Sequence, residues 1–306
     1  MNKDFLSLSD WPLADLERIF DLTRELKRKQ KQGVPHRLLE GKTLAMIFEK
    51  SSTRTRISFE VGMVQLGGHA LFLHSGTTQM GRGEPIRDSA RVMARYCDGV
   101  MIRTFSHSIV EEFAAHCSAP VINGLTDLNH PCQLMADLFT VSEHRANYRE
   151  LTYCWIGDGN NMAHSWINAA SVFGFPLRIA TPKGYEPDAG VLEQARAAGA
   201  DILLTDSPEE AVTGADILNT DVWASMGQEE EQQIRARAFA GFQINSQLLG
   251  VANPGALVMH CLPAHRDEEI TDEVMEGPQS IIFDEAENRL HVQKAIMATL
   301  MGGIGR

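Results

Sequence analysis

The chain has 306 residues, roughly two domains' worth, and its 43% hydrophobic and 22% charged content is that of a folded globular protein with a sizeable core. Acidic residues outnumber basic ones 40 to 28, a formal charge of −12, so the basic footprint of a nucleic-acid binder is absent. No apolar run approaches the ~18–20 residues of a membrane span, and five scattered cysteines (Cys97, Cys117, Cys132, Cys154, Cys261) without a CxxC argue against a disulfide framework.

Met1–Ser7 lacks the layout of a signal or transit peptide, so a cytoplasmic protein is expected. The first amphipathic helix carries Leu13, Leu16, Phe20 and Leu26 at helical spacing, with Pro12 in its first turn and Gly33 after its end. Short β-rich runs then alternate with helical stretches. The first half offers strands at Thr43–Phe48, Ala70–His74, Gly99–Arg103 and Pro120–Ile122. The second half offers Tyr153–Ile156, Leu177–Ala180, Ile202–Thr205, Ile217–Asn219, Leu257–His260 and Ser280–Phe283. Such alternation predicts an α/β protein with parallel sheets covered on both faces. A long helix from Pro131 to about Tyr148 separates the two sets, and a last helix, Asn288–Met301, is expected to dock back.

After the first strand comes Ser51-Ser52-Thr53-Arg54-Thr55-Arg56, followed by apolar residues at helical spacing. The hydroxyls and guanidinium groups therefore sit where a helix begins. A helix start presents free N–H groups and partial positive charge, and Arg54 adds a planar fork suited to phosphate oxygens. The Gly-rich run of a Walker loop is missing. A plain Ser cap is the bland alternative, and Arg56 reads as a structural ion-pair partner. The acidic total does not exclude an anionic ligand, because long-range repulsion is screened beyond about 8 Å.

In Asn129-His130-Pro131-Cys132-Gln133, proline suits the first helical position, so His130 and Gln133 can point at one spot and polarise a carbonyl. Arg103 lies near the carboxyl end of a strand, the edge where open α/β sheets bind ligands. Each of these has an equally ordinary structural explanation in isolation.

Taken together, Ser-Thr-Arg-Thr-Arg after a strand and His-Pro-x-Gln opening a helix resemble the aspartate/ornithine carbamoyltransferases. Asp221-Val222-Trp223-Ala224-Ser225-Met226-Gly227, His260-Cys261-Leu262-Pro263, Gly157-Asp158-Gly159-Asn160-Asn161-Met162 and Glu287-Asn288-Arg289 are similar to the ornithine-using branch. The resemblance spans about Trp11 to Met301. It implies two doubly wound parallel-sheet domains: a carbamoyl-phosphate domain over 1–147, with a terminal helix (288–306) packing back on it, and an ornithine domain over 148–287. It also implies a homotrimer, or a multiple of one, with shared active sites, and the substrates carbamoyl phosphate and L-ornithine.

Carried over residue by residue, the resemblance assigns the phosphate to Ser52, Thr53, Arg54, Thr55 and Arg103, with Gln79 supplied by a neighbouring subunit. Thr55, Arg103 and His130 would face the carbamoyl oxygen. Gln133 and the Leu262 carbonyl would hold its NH2, with Arg289 nearby. Asp221 and Cys261 would contact the attacking δ-amine, placing Cys261 beside the carbamoyl group as well. Asn161, Ser225 and Met226 would hold the α-amino and α-carboxylate ends, together with Asp221. Arg103, His130, Asp221 and Cys261 form the expected catalytic set. No metal and no organic cofactor is expected, because carbamoyl phosphate already carries an activated acyl group.

Three rivals stay open at this point. The Gly157-x-Gly159 run after a strand could belong to a dehydrogenase, although Met162 occupies the third glycine position of the dinucleotide fingerprint. A related transcarbamoylase could use aspartate, N-acetylornithine or putrescine. A non-catalytic paralogue could keep the fold.

Overall fold

Strands buried on both faces read as short apolar runs, and these runs form parallel sheets in the computed structural model, which describes residues 2–224 and 231–303. In chain order the elements begin α1 (Leu13–Lys31), β1 (Thr43–Phe48), α2 (Thr53–Gln65), β2 (His69–His74), α3 (Ile86–Met93), β3 (Gly99–Arg103), α4 (His107–His116), β4 (Val121–Leu125) and α5 (Pro131–His144). They continue β5 (Tyr153–Ile156), α6 (Asn161–Phe173), β6 (Leu177–Ala180), α7 (Ala189–Ala197), β7 (Ile202–Thr205), α8 (Pro208–Val212) and β8 (Ile217–Thr220). The last are α9 (Gln232–Ala238), α10 (Ser246–Leu249), β9 (Leu257–His260), α11 (Asp272–Met275) and α12 (Ile282–Met301).

The chain divides into two compact units: Met1–Ala136 with Glu287–Arg306, and Asp137–Ala286. Both divisions fall inside helices, α5 and α12.

The first unit holds a four-stranded sheet in the order β2-β1-β3-β4, paired in parallel throughout. Ala45, Ile47, Val100, Ile102 and Val121 point to one face and pack with Val110 and Phe113 of α4. The C-terminal part of α12 docks against α2, as expected for the last helix. The approach is close enough that a Cβ on Gly62 would lie 2.9 Å from Met297 Cε, which is why glycine suits this position. From β1 the chain runs outward to β2 on one side and to β3 and β4 on the other. The carboxyl ends of β1 and β3 therefore flank a topological switch point.

The second unit holds a five-stranded sheet in the order β7-β6-β5-β8-β9, also parallel. Cys154, Ile156, Leu218 and Val258 face a core with Phe239, Ile244 and Ile282. Here the switch point lies between β5 and β8.

One expected strand is corrected. Ser280 makes only an isolated bridge to Val258, and Ile282 and Phe283 already belong to α12. The apolar run Ile281-Ile282-Phe283 reads as a strand by composition. The acidic first turn that follows, Asp284 and Glu285, favours a helix start instead.

Candidate active site

At the first switch point the chain leaves β1 and caps α2 with Ser52. Its Oγ accepts the Thr55 N–H at 3.2 Å and donates to Thr55 Oγ1 at 3.0 Å. Thr55 is buried, and its hydroxyl also accepts from Arg289 Nη2 at 3.2 Å. With two donors on its oxygen, Thr55 has its own O–H proton left to donate. Arg54 is half-buried and its guanidinium has no hydrogen-bond or ion-pair partner among the described residues. Arg56 behaves as the structural partner expected of it, pairing with Glu60 at 3.2 Å and lying 3.9 Å over the Phe72 ring.

Arg103 ends β3 and is buried. The register against β4 shifts between Ile102 and Arg103, an irregularity of the kind that re-aims a side chain at a sheet edge. Its carbonyl accepts the Glu49 N–H at 2.8 Å, tying it to the segment after β1.

His130 precedes α5, and Gln133 lies one turn in; both are buried. Burial, then the charges of Arg289 and Arg103, hold the His130 imidazole well below its ordinary range, so it is neutral near pH 7. Arg289 Nη1 donates to Gln133 Oε1 in a short contact. Arg289 thus joins the helix-start set, through Thr55, to the His130–Gln133 set. Cys132 stays out of this: it is buried, its thiol is pushed up to about 12 by burial, and it points at the Asn123 carbonyl at 3.4 Å. Gln79 is exposed, and no side-chain hydrogen bond joins it to these groups.

At the second switch point Asp221 follows β8. Its Oδ1 accepts the Val222 N–H at 2.8 Å and its Oδ2 accepts from Asn160 Nδ2 at 3.2 Å. Asn160 caps α6 with its other end, accepting the Met162 and Ala163 N–H groups. Asn161 opens the same helix and is half-buried. Cys261 follows β9 with its Sγ within 4.8 Å of donor atoms on Asp221 and His260. Burial, then the carboxylates of Asp221 and Glu285, hold this thiol well above its usual range. It is therefore an S–H group near neutral pH, not a thiolate. Leu262 has φ +57°, a left-handed conformation rare for leucine. Ser225 and Met226 lie outside the described residues.

The family described as the aspartate/ornithine carbamoyltransferase carbamoyl-phosphate-binding domain matches residues 3–143, and its aspartate/ornithine-binding domain matches residues 149–300. The chain belongs to the aspartate/ornithine carbamoyltransferase family. An ornithine carbamoyltransferase of Syntrophotalea carbinolica is 68% identical over 301 residues, covering 98% of this chain and all of the relative. One from Geobacter sulfurreducens is 63% identical over 302 residues, with 98% and 100% covered. Among solved structures, the ornithine carbamoyltransferase of Pyrococcus furiosus superposes with a TM-score of 0.94 at 49% identity, covering 98% of this chain and 97% of that one.

Membership in this family agrees with the way the second unit fills its glycine loop. A Cβ on Gly159 would lie 2.2 Å from the Pro187 backbone nitrogen, and the Gly159 N–H donates to the Tyr185 carbonyl at 2.8 Å. The chain's own 185–187 segment thus occupies the close approach that a dinucleotide phosphate would need.

Several supporting residues, some of them inside the quoted motifs, have no role that the motifs reveal. Asn160 holds Asp221 from 61 positions away. Arg235 joins Asp158 Oδ2 at 2.9 Å to the Trp223 carbonyl at 3.0 Å. His260 donates from Nε2 to Glu269 Oε1 at 2.9 Å, accepts the Leu262 N–H on Nδ1 at 2.9 Å, and donates its backbone N–H to Glu285 Oε2 at 3.0 Å. An Asn before a helix is legible as a cap. Its reach to another strand is not.

The sequence also hides that Asp221 joins His260 and Cys261 in a group whose donor atoms could meet a metal ion. Both His260 ring nitrogens are already engaged by protein groups, so ligation there would break an existing hydrogen bond. A second such group, His265, Glu268 and Glu269, shares the carboxylate that holds His260.

Proposed function

We propose that this chain transfers the carbamoyl group of carbamoyl phosphate to the δ-amine of L-ornithine, forming citrulline and phosphate. The observation that carries the reading is the Arg289 bridge, which links the anion-type helix start at Ser52–Thr55 to the carbonyl-polarising pair His130 and Gln133.

Ser52, Thr53, Arg54, Thr55 and Arg103 hold the phosphate. Thr55, Arg103 and the neutral His130 stabilise negative charge as the tetrahedral intermediate forms on the carbamoyl carbon. Gln133 and the Leu262 carbonyl take the carbamoyl NH2, with Arg289 and Cys261 beside the group. A free alkylamine has a pKa of about 10.4, so deprotonating it near pH 7 costs roughly 4–5 kcal/mol. Asp221 and the Cys261 thiol orient this nitrogen. Asn161, Asp221, Ser225 and Met226 hold the amino-acid end. The departing phosphate accepts the amine proton. The chemistry requires no metal or organic cofactor, since the acyl group arrives activated.

The working form is a homotrimer, or a multiple of one, in the cytoplasm, with Gln79 of one subunit completing the phosphate set of its neighbour. Its exposure within the single chain supports this role. Among the described residues, no helix is long and apolar enough to cross a membrane.

The test is citrulline formation from the two substrates, repeated with Arg54→Gly. Loss of the fork lowers kcat/KM by about 10²–10³-fold, the usual effect of removing one preorganised donor. Unchanged kinetics would refute the phosphate assignment. Turnover of ornithine, N-acetylornithine, putrescine and aspartate is compared in the same assay. Equal or better use of another acceptor would overturn ornithine, and binding of carbamoyl phosphate without any citrulline would favour a non-catalytic paralogue.

A further inference from the structure

Gln293 lies on α12 and is 0% exposed. A buried amide needs partners at both ends. With its oxygen turned toward Arg289, Gln293 accepts from Arg289 Nε at 3.1 Å and from Nη2 at 2.9 Å, and its NH2 donates to Ser58 Oγ at 2.5 Å. The opposite orientation sets oxygen against acceptors and nitrogen against donors, so hydrogen-bond chemistry selects the first. Ser58 Oγ in turn donates to the Arg54 carbonyl at 2.7 Å. The other N–H groups of Arg289 reach Thr55 Oγ1 and Gln133 Oε1.

We propose that Gln293, steadied by Ser58, is a positioning residue for carbamoyl transfer, because it fixes the plane of the Arg289 guanidinium that Thr55 and Gln133 share. Arginine is a long side chain with several rotatable bonds, but its fork is planar, so two acceptor contacts on one edge set the direction of the other. Arg289 is 4% exposed. Without Gln293, two of its N–H groups would lose their acceptor where water is scarce, and the fork would turn to find another. The contact between Arg289 and the Gln133 amide oxygen would shift with it. Ser58 extends the control to α2, since the same hydroxyl grips the backbone of Arg54.

This rests on the carbamoyl transfer proposed above, and the test separates the two. Citrulline formation is measured for wild type, Gln293→Leu, Gln293→Glu, Arg289→Leu and the Gln293→Leu/Arg289→Leu double variant, with thermal melts on each. Leucine keeps the volume and removes both acceptor and donor. Glutamate keeps an acceptor for Arg289. Gln293→Leu is expected to lower kcat/KM for carbamoyl phosphate about tenfold or more, and Gln293→Glu to recover most of it. The KM for ornithine stays within about twofold, and adding Gln293→Leu to Arg289→Leu costs less than about twofold more. A Gln293→Leu enzyme that melts lower yet keeps wild-type kinetics would reduce the residue to packing and overturn the proposal. So would a full multiplicative loss on the Arg289→Leu background. Should Gln293→Leu fail to fold, Gln293→Glu and Ser58→Ala decide. A loss of about threefold or more in Ser58→Ala with Gln293→Glu near wild type supports positioning, and wild-type kinetics in Ser58→Ala refutes it. A wild-type protein that makes no citrulline would refute the activity alone. Calorimetric binding of carbamoyl phosphate to the same variants then reads the positioning, with the same ranking expected.

Discussion

The Cys261 thiol is pushed up by burial first and by the neighbouring Asp221 and Glu285 carboxylates next. Alkylation needs the thiolate, so this cysteine is expected to react slowly with iodoacetamide at pH 8 even though it is only partly buried. Asp221→Asn removes the carboxylate with the larger influence on Cys261 and therefore lowers the thiol pKa, which speeds alkylation at that pH. Peptide-resolved mass spectrometry separates Cys261 from the other four cysteines. Rapid labelling at pH 7 that Asp221→Asn leaves unchanged would remove the electrostatic coupling between the two groups. The same coupling explains why a thiol suits the position in the proposed reaction: it can meet an amine nitrogen without adding a second negative charge beside Asp221.

At the scale of one element, α12 carries an unusual load of buried polar groups. Lys294 is 0% exposed and donates to Gln65 Oε1 at 2.8 Å and to His36 Nε2 at 3.2 Å, with no carboxylate partner among the described residues. Burial lowers its pKa to about 8 from an ordinary 10.5. Below pH 8 the folded state carries a poorly solvated cation, and between pH 8 and 10.5 the unfolded chain binds more protons than the folded one. Stability therefore rises with pH across that window, by up to about 3 kcal/mol from this group. Urea unfolding of wild type and Lys294→Met at pH 7.5 and 10 should show the rise in wild type and a smaller one in the variant. Equal slopes would mean that Lys294 is solvated. None of this is legible along the chain, where Gln293 and Lys294 read as ordinary residues of an amphipathic helix. What is legible is local. The strands β1, β3, β5, β6, β7 and β9 coincide with their apolar runs, because a short strand of a covered parallel sheet needs little beyond a run of mainly apolar residues. The Ser52 cap is legible for the same reason, since donor and acceptor lie three residues apart. The Ser280–Phe283 run misleads because Ile281 and Ile282 are buried either way, and composition alone does not separate a buried strand from a buried helix start. The pairs that orient the site, Asn160 with Asp221, Gln133 with Arg289 and Gln293 with Ser58, join residues far apart in the chain, and only the fold brings them together.

For the molecule as a whole, each unit places its candidate site residues near the switch point of its own sheet. In the single chain Gln79 is exposed, and so is a stretch of apolar surface. Ile57, Val61 and Val64 recur at helical spacing on α2 and are 53%, 37% and 67% exposed. Leu71 and Phe72 are exposed on β2, which is an edge strand. A helix stripe and an open sheet edge of this kind are the features that the proposed ring would cover. In a ring where each site takes Arg54 from one subunit and Gln79 from the next, Arg54→Gly and Gln79→Ala damage different contributors to the same site. Each pure variant is then impaired at every site. In a random one-to-one mixture of subunits, about a quarter of the sites pair an intact Arg54 with an intact Gln79, as follows from heterologous ring contacts. Subunits dissociated, mixed and reassembled should recover roughly that fraction of wild-type turnover, and the unmixed variants carried through the same treatment should recover none. If the mixture gives only the average of the two pure variants, each chain builds its site alone, and Gln79 has another role.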